Sequence, residues 1–250
     1  MAERRHLLIL GGTGEAVALA ARAAATARLR VTTSLAGRTS APARPEGERR
    51  SGGFGGAAGL ARYLREAGID LVIDATHPYA ARISRHATEA CAAAGIPRLA
   101  LLRPPWTAQP GDRWIEVADA AEAAAALGDL GRRVFLTTGR QTLEAFAALA
   151  EHWFLVRLIE TPRDGLPLQR YEAIAARGPV RVNEEIALLR RHGIEAVVSK
   201  NSGGDATHAK IAAARACALP VVMIRRPAPP AGERAESIEA ALAWLGRHLA

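Results

Sequence analysis

The chain has 250 residues, of which 49% are hydrophobic and 4% aromatic, and a formal net charge of +8. That length supports one large domain or two of modest size. The charge points to an anionic partner, yet no aromatic-interleaved basic helix or zinc-finger spacing supports nucleic acid, and no apolar run reaches membrane-spanning length. Cys91 and Cys217 sit in alanine-rich helical contexts and read as packed thiols, neither a disulfide framework nor a metal site. With an apolar run too short for a secretion signal before its first glycines, the chain is expected in the cytoplasm.

The first predicted strand is LLIL at 7–10, followed by Gly11, Gly12, Thr13, Gly14 and Glu15 and then an alanine-rich helical run. Glycines let the chain turn sharply and bring its backbone close to a guest, and the helix N-terminus offers free N–H groups to an anion. A phosphate suits that loop, as does an ordinary strand-to-helix turn. The full G-x-G-x-x-G pattern is absent, because counting from Gly12 the sixth position is Val17.

A second strand, RVTTS at 30–34, ends in Ser34-Leu35-Ala36-Gly37-Arg38, with no acid between Val31 and Arg44. An NAD site places a carboxylate near here for the ribose 2′-hydroxyl, whereas a 2′-phosphate favours arginine, so a dinucleotide site here would favour NADPH over NADH; a plain surface arginine after a turn fits Arg38 equally well. The glycine- and proline-rich stretch at 36–56 reads as a functional loop or a loose insertion whose arginines could cover an anionic ligand. A third strand, DLVID at 70–74, delivers Asp74, Thr76, His77 and Tyr79 around Pro78. His77 and Tyr79 could orient a ligand or relay a proton, with Asp74 fixing the loop.

Strands RLALL at 98–102 and WIEV at 114–117 follow, then a helix with Asp119 near its start and a break at 128–133. The second series is VFLTT at 134–138, WFLVRLI at 153–159, EAVVS at 195–199 and PVVMI at 220–224, alternating with helical patterns that include QTLEAFAALA. This alternation predicts an α/β architecture of parallel strands and crossover helices. It divides into a lobe at 1–130 with the glycine loop and a lobe at 131–250 with a closing helix at about 236–248. The second lobe presents Thr138, Gly139, Arg140 and Gln141 after one strand, and Lys200, Asn201, Ser202 and Gly203 after another. The latter loop joins flexible backbone, hydroxyls and a cation ahead of a helix, which outlines an anion site or a glycine turn with a capping threonine.

No tyrosine is followed four residues later by lysine, no G-x-x-x-x-G-K-[ST] occurs, and no His or Cys spacing suggests zinc. The short-chain dehydrogenase pair, the P-loop hydrolases and a metal site are thereby disfavoured.

Taken in order from about residue 6 to 227, the segments LGGTGEA, TSLAGRT, DATHPYA, LTTGRQ, RGPV, VVSKNSGG and VVMIRRP resemble the precorrin-6A reductases of cobalamin biosynthesis. Val180 departs from the pattern, standing where an aromatic is expected after Gly-Pro. The resemblance implies two Rossmann-like lobes with mainly parallel sheets and an interlobe active-site cleft. It implies NADPH as cofactor and reduction of the C18–C19 double bond of precorrin-6A, giving precorrin-6B.

On that resemblance Gly11, Gly12, Thr13, Gly14, Glu15, Ser34, Arg38, Thr76, Thr138, Gly139, Arg140 and Gln141 are the cofactor candidates. Lys200, Asn201, Ser202 and Gly203 are the substrate candidates, and His77, Tyr79 and Lys200 the catalytic ones. The implied partner is the polycarboxylate precorrin-6A, with no nucleic acid and no membrane, and the chain is expected as a monomer or weak homo-oligomer. A non-catalytic NADPH-binding sensor is the alternative from another class. It would need the first lobe's loops but not the polar loops of the second.

Overall fold

The computed structural model describes residues 4–37, 45–160, 164–176 and 178–249. It is α/β throughout, and its strands form two six-stranded sheets in which every described pairing is parallel. The chain divides into two compact units, residues 1–104 with 227–250 and residues 105–226.

In the first unit β1 (Arg5–Leu10), α1 (Gly14–Ala24), β2 (Leu29–Leu35), β3 (Glu48–Ser51), α2 (Gly56–Glu66), β4 (Leu71–Asp74), α3 (Ala81–Ala94) and β5 (Arg98–Leu101) follow one another. The unit is completed by β12 (Glu233–Ala235) and α7 (Ile238–Leu249) from the far end of the chain. Spatial order is β3-β2-β1-β4-β5-β12, the order of dinucleotide-binding sheets.

β1 shows how the sequence dictates the layers. Its side chains alternate between faces, so Leu7 and Ile9 join Leu19, Ala20 and Trp244 of α1 and α7. Leu8 and Leu10 join Leu60, Leu64 and Ala87 of α2 and α3 on the other face. A strand covered on both faces must be apolar at every position, which is why LLIL reads as a continuous run.

The second unit contains β6 (Arg113–Val117), α4 (Ala120–Ala126), β7 (Arg133–Leu136), a 3₁₀ segment (Arg140–Phe146), β8 (Trp153–Leu158), β9 (Tyr171–Ala175), α5 (Val182–Arg191), β10 (Ala196–Lys200), α6 (Ala209–Ala216) and β11 (Pro220–Ile224). Its order is β9-β8-β7-β10-β11-β6. Phe135, Val197 and Val221 pack under Leu188, Leu189 and Ile211 of α5 and α6. Asp119 caps α4 by accepting from Ala121 N at 2.9 Å and Glu122 N at 3.0 Å, as its position ahead of the alanine run predicts. The QTLEAFAALA pattern forms the 3₁₀ segment, not a full α-helix.

Both sheets therefore share one plan, and in each the outermost strand beside the fifth is out of sequence. β6 follows β5 in the chain yet pairs with β11, while β12 follows β11 yet pairs with β5. This exchange corrects the boundary expected near residue 130. WIEV and the Asp119 helix belong with the second sheet, and the closing helix belongs with the first.

Candidate active site

In open α/β sheets ligands bind beyond the carboxyl ends of the strands, where the winding direction reverses. That switch lies between β1 and β4 in the first unit and between β7 and β10 in the second. The four polar loops singled out in the sequence follow these four strands, one pair in each unit.

At the first switch the backbone must run tight against its neighbour. A Cβ on Gly11 would lie 3.0 Å from Thr33 Cγ2 and 3.3 Å from Leu35 Cδ2, and Gly12 has φ +117°, a conformation side chains resist. Gly11 N donates to Ser34 O at 2.9 Å, binding the loop to the end of β2. Thr13 caps α1, its hydroxyl accepting from Ala16 N at 3.1 Å and donating to Ala75 O at 2.8 Å. One residue thus starts the helix and joins the β1 loop to the β4 loop.

On the β4 side Asp74 is buried and its Oδ1 accepts from Thr76 N at 3.1 Å and Thr76 Oγ1 at 2.7 Å. The carboxylate fixes the turn, and the Thr76 hydroxyl faces it. His77 Nδ1 accepts from Tyr79 N at 3.3 Å, with the two rings 5.7 Å apart and both residues half-buried. Glu15 at the first turn of α1 pairs with Arg103 at 2.7 Å. The arginine offsets a carboxylate that would otherwise repel an anion at the helix start. Arg38 lies outside the described residues. A groove of about 430 Å³, lined by Arg22, Leu29, Leu242 and Leu249 among others, lies at the opposite, amino end of this sheet, remote from these loops.

At the second switch Lys200 Nζ donates to Thr138 O at 2.6 Å, joining the ends of β10 and β7. Burial lowers the lysine pKa, because desolvation disfavours the ammonium. Thr138 is buried beside the Thr142 hydroxyl at 2.8 Å, whereas Arg140 and Gln141 stand exposed at the start of the 3₁₀ segment. Asn201 hydrogen-bonds both backbone groups of Trp106, accepting from N at 2.8 Å and donating to O at 2.9 Å. Arg226 donates to Asn201 O and Ser202 O, each at 2.7 Å, so the loop through Gly203 is held from both sides.

The glycine loop and the Ser34 region suit a dinucleotide, because a Cβ built at Gly12 or Gly14 would meet nothing within 4 Å and the N-terminus of α1 lies directly behind them. The clusters of ligand-type residues that a metal would need do not occur among the described residues. Sequence reasoning missed Arg103 and Arg226. Their signal was position, immediately after RLALL and within VVMIRRP, where arginines at strand ends can meet anions.

The family model described as "Precorrin-6x reductase CbiJ/CobK" matches residues 6–246. The chain belongs to the precorrin-6x reductase family. Within that family it is 50% identical to the precorrin-6A reductase of Rhodococcus erythropolis, over 96% of this chain and 97% of that protein. A solved structure titled CobK precorrin-6A reductase superposes with a TM-score of 0.91 at 46% identity, covering 98% of this chain and 97% of the other. The cobalt-precorrin-6A reductase of Salmonella typhimurium is more distant, at 29% identity over 89% of this chain and 88% of its own length. This member of the family has no described helix long and apolar enough to cross a membrane.

Proposed function

We propose that the chain is the NADPH-dependent reductase that converts precorrin-6A to precorrin-6B by saturating the C18–C19 double bond of the macrocycle in cobalamin biosynthesis. The observation that carries this reading is the placing of two polar loops at the switch point of each sheet, in a chain half identical to a precorrin-6A reductase across nearly its whole length. The gap between 50% identity to that protein and 29% to a cobalt-precorrin-6A reductase supports a metal-free macrocycle.

NADPH, when bound, supplies the hydride for one carbon of the double bond, and a proton for the other comes from solvent or a side chain. The protein's own task is to bind, orient and exclude water. Gly11 to Glu15 hold the pyrophosphate against the N-terminus of α1, with Thr13 keeping the loop closed on Ala75. Ser34 at the end of β2 is the described candidate for the 2′-phosphate end, and the absence of an acid from Val31 to Gly37 disfavours NADH. Exposed Arg140 and Gln141 are the cofactor candidates of the second unit, and Lys200 offers its charge to macrocycle carboxylates. Lys200 is one proton-donor candidate, its pKa lowered by burial. His77, with Nδ1 accepting from Tyr79 N, and the Tyr79 phenol are the candidates on the other loop.

The test is hydride tracing under anaerobic conditions, with NADPH carrying deuterium at both C4 positions and precorrin-6A as acceptor. Mass spectrometry should find one deuterium in the product. NADPH binding with no label transfer would support the sensor instead.

A further inference from the structure

Parallel pairing places Arg50 of β3 directly beside Ser34 of β2. Arg50 Nη1 donates to Ser34 Oγ at 3.0 Å and to Gly52 O at 2.9 Å, and Nη2 donates to Gly53 O at 3.0 Å. The guanidinium carbon lies 3.8 Å from the centre of the Phe54 ring and 5.1 Å from that of Tyr63. A long, rotamer-rich side chain is thereby fixed by stacking and three hydrogen bonds, so little further ordering is lost when it meets a ligand. The acid of this strand, Glu48, is two residues away and pairs with Arg30 at 2.8 Å. It does not neutralise Arg50.

The position is as informative as the geometry. Ser34 O accepts from Gly11 N of the glycine loop while Ser34 Oγ accepts from Arg50, so a single residue joins the phosphate loop to the fixed cation. In a sheet of this order the end of the second strand faces the adenosine ribose. With three N–H groups of the guanidinium given to Ser34, Gly52 and Gly53, the Nε hydrogen and the second Nη2 hydrogen are left to donate to a phosphate monoester.

We propose that Arg50, together with Ser34, forms the subsite for the 2′-phosphate of NADPH and sets the preference over NADH. The assignment rests on the NADPH reading of the preceding section and adds to it a residue from the stretch that the sequence presents as a loop. The competing role is a structural clamp that only closes the Gly52–Gly53 turn.

The test compares adenosine 2′,5′-bisphosphate with adenosine 5′-monophosphate, which differ only in the 2′-phosphate, by calorimetric titration of the wild type, Arg50→Gln and Ser34→Asp. Glutamine keeps much of the side-chain stem without the charge, and an aspartate at 34 would neutralise the guanidinium from across the strand pair. The wild type should favour the bisphosphate, and both variants should lose about tenfold to hundredfold of that preference while binding the monophosphate nearly as before. A clamp would weaken both ligands together, and an undiminished preference in either folded variant would overturn the subsite while leaving the NADPH reading in place. A wild type that does not discriminate between the two ligands would overturn the NADPH reading and the subsite with it.

Discussion

Lys200 joins the ends of the two central strands of its sheet through a 2.6 Å bond to Thr138 O, and burial favours its neutral form. Its pKa lies below the ordinary lysine value, so the ammonium is lost as pH rises through that lowered pKa. The alkaline limb of kcat/KM should accordingly fall below the ordinary lysine range and disappear in Lys200→Arg, which stays charged. Lys200→Ala should lower kcat/KM for the macrocycle by at least about tenfold, with NADPH affinity changed by less than about twofold. An unaltered pH profile in both variants would remove Lys200 from the chemistry. At this scale the motif residues were legible because strand-end loops rich in Gly, Thr, Ser and Lys stand out against an alanine background. Arg50 and Arg103 were not. Their partners Ser34 and Glu15 lie 16 and 88 positions away, and only strand pairing reveals such neighbours.

Elements buried on both faces announce themselves, and all nine apolar runs form strands. The missed strands are β3, β9 and β12, with sequences ERRS, YEAIA and ERA. Each is an edge strand whose positions, the buried Ala235 of β12 apart, are exposed or half-buried, so the apolar pattern that marks a central strand is not required. β3 in particular lies within the stretch at 36–56 that composition presents as a loop. The closing helix was legible from its spacing, but its partner was not: Trp244 of α7 is 1% exposed and packs in the core with Leu7 and Ile9 of β1. Trp244→Ala should therefore destabilise the first unit by about 3–5 kcal/mol. Hydrogen exchange should show faster opening of β1 and β5 while β7 and β10 stay protected. The reverse pattern would contradict the placement of α7.

For the whole molecule, the exchange of β6 and β12 means that neither unit is the product of simply cutting the chain once. Sequence proximity hid this, because β6 begins 12 residues after β5 ends and its partner β11 comes about a hundred residues later. A fragment of residues 1–130 lacks β12 and α7 and carries β6 without its partner, so it should fail to unfold cooperatively. Residues 1–104 joined by a short linker to 227–250 should do so. Cooperative melting of 1–130 alone would instead favour the simpler boundary.

Each unit brings a pair of polar loops to the switch point of its own sheet. The most direct measurement is anaerobic oxidation of NADPH by the purified protein with precorrin-6A, run beside NADH and a control without macrocycle, with the macrocycle absorbance followed in parallel. Stoichiometric loss of NADPH coupled to the spectral change is the expected result, with NADH much slower. NADPH binding with an unchanged macrocycle spectrum would contradict it.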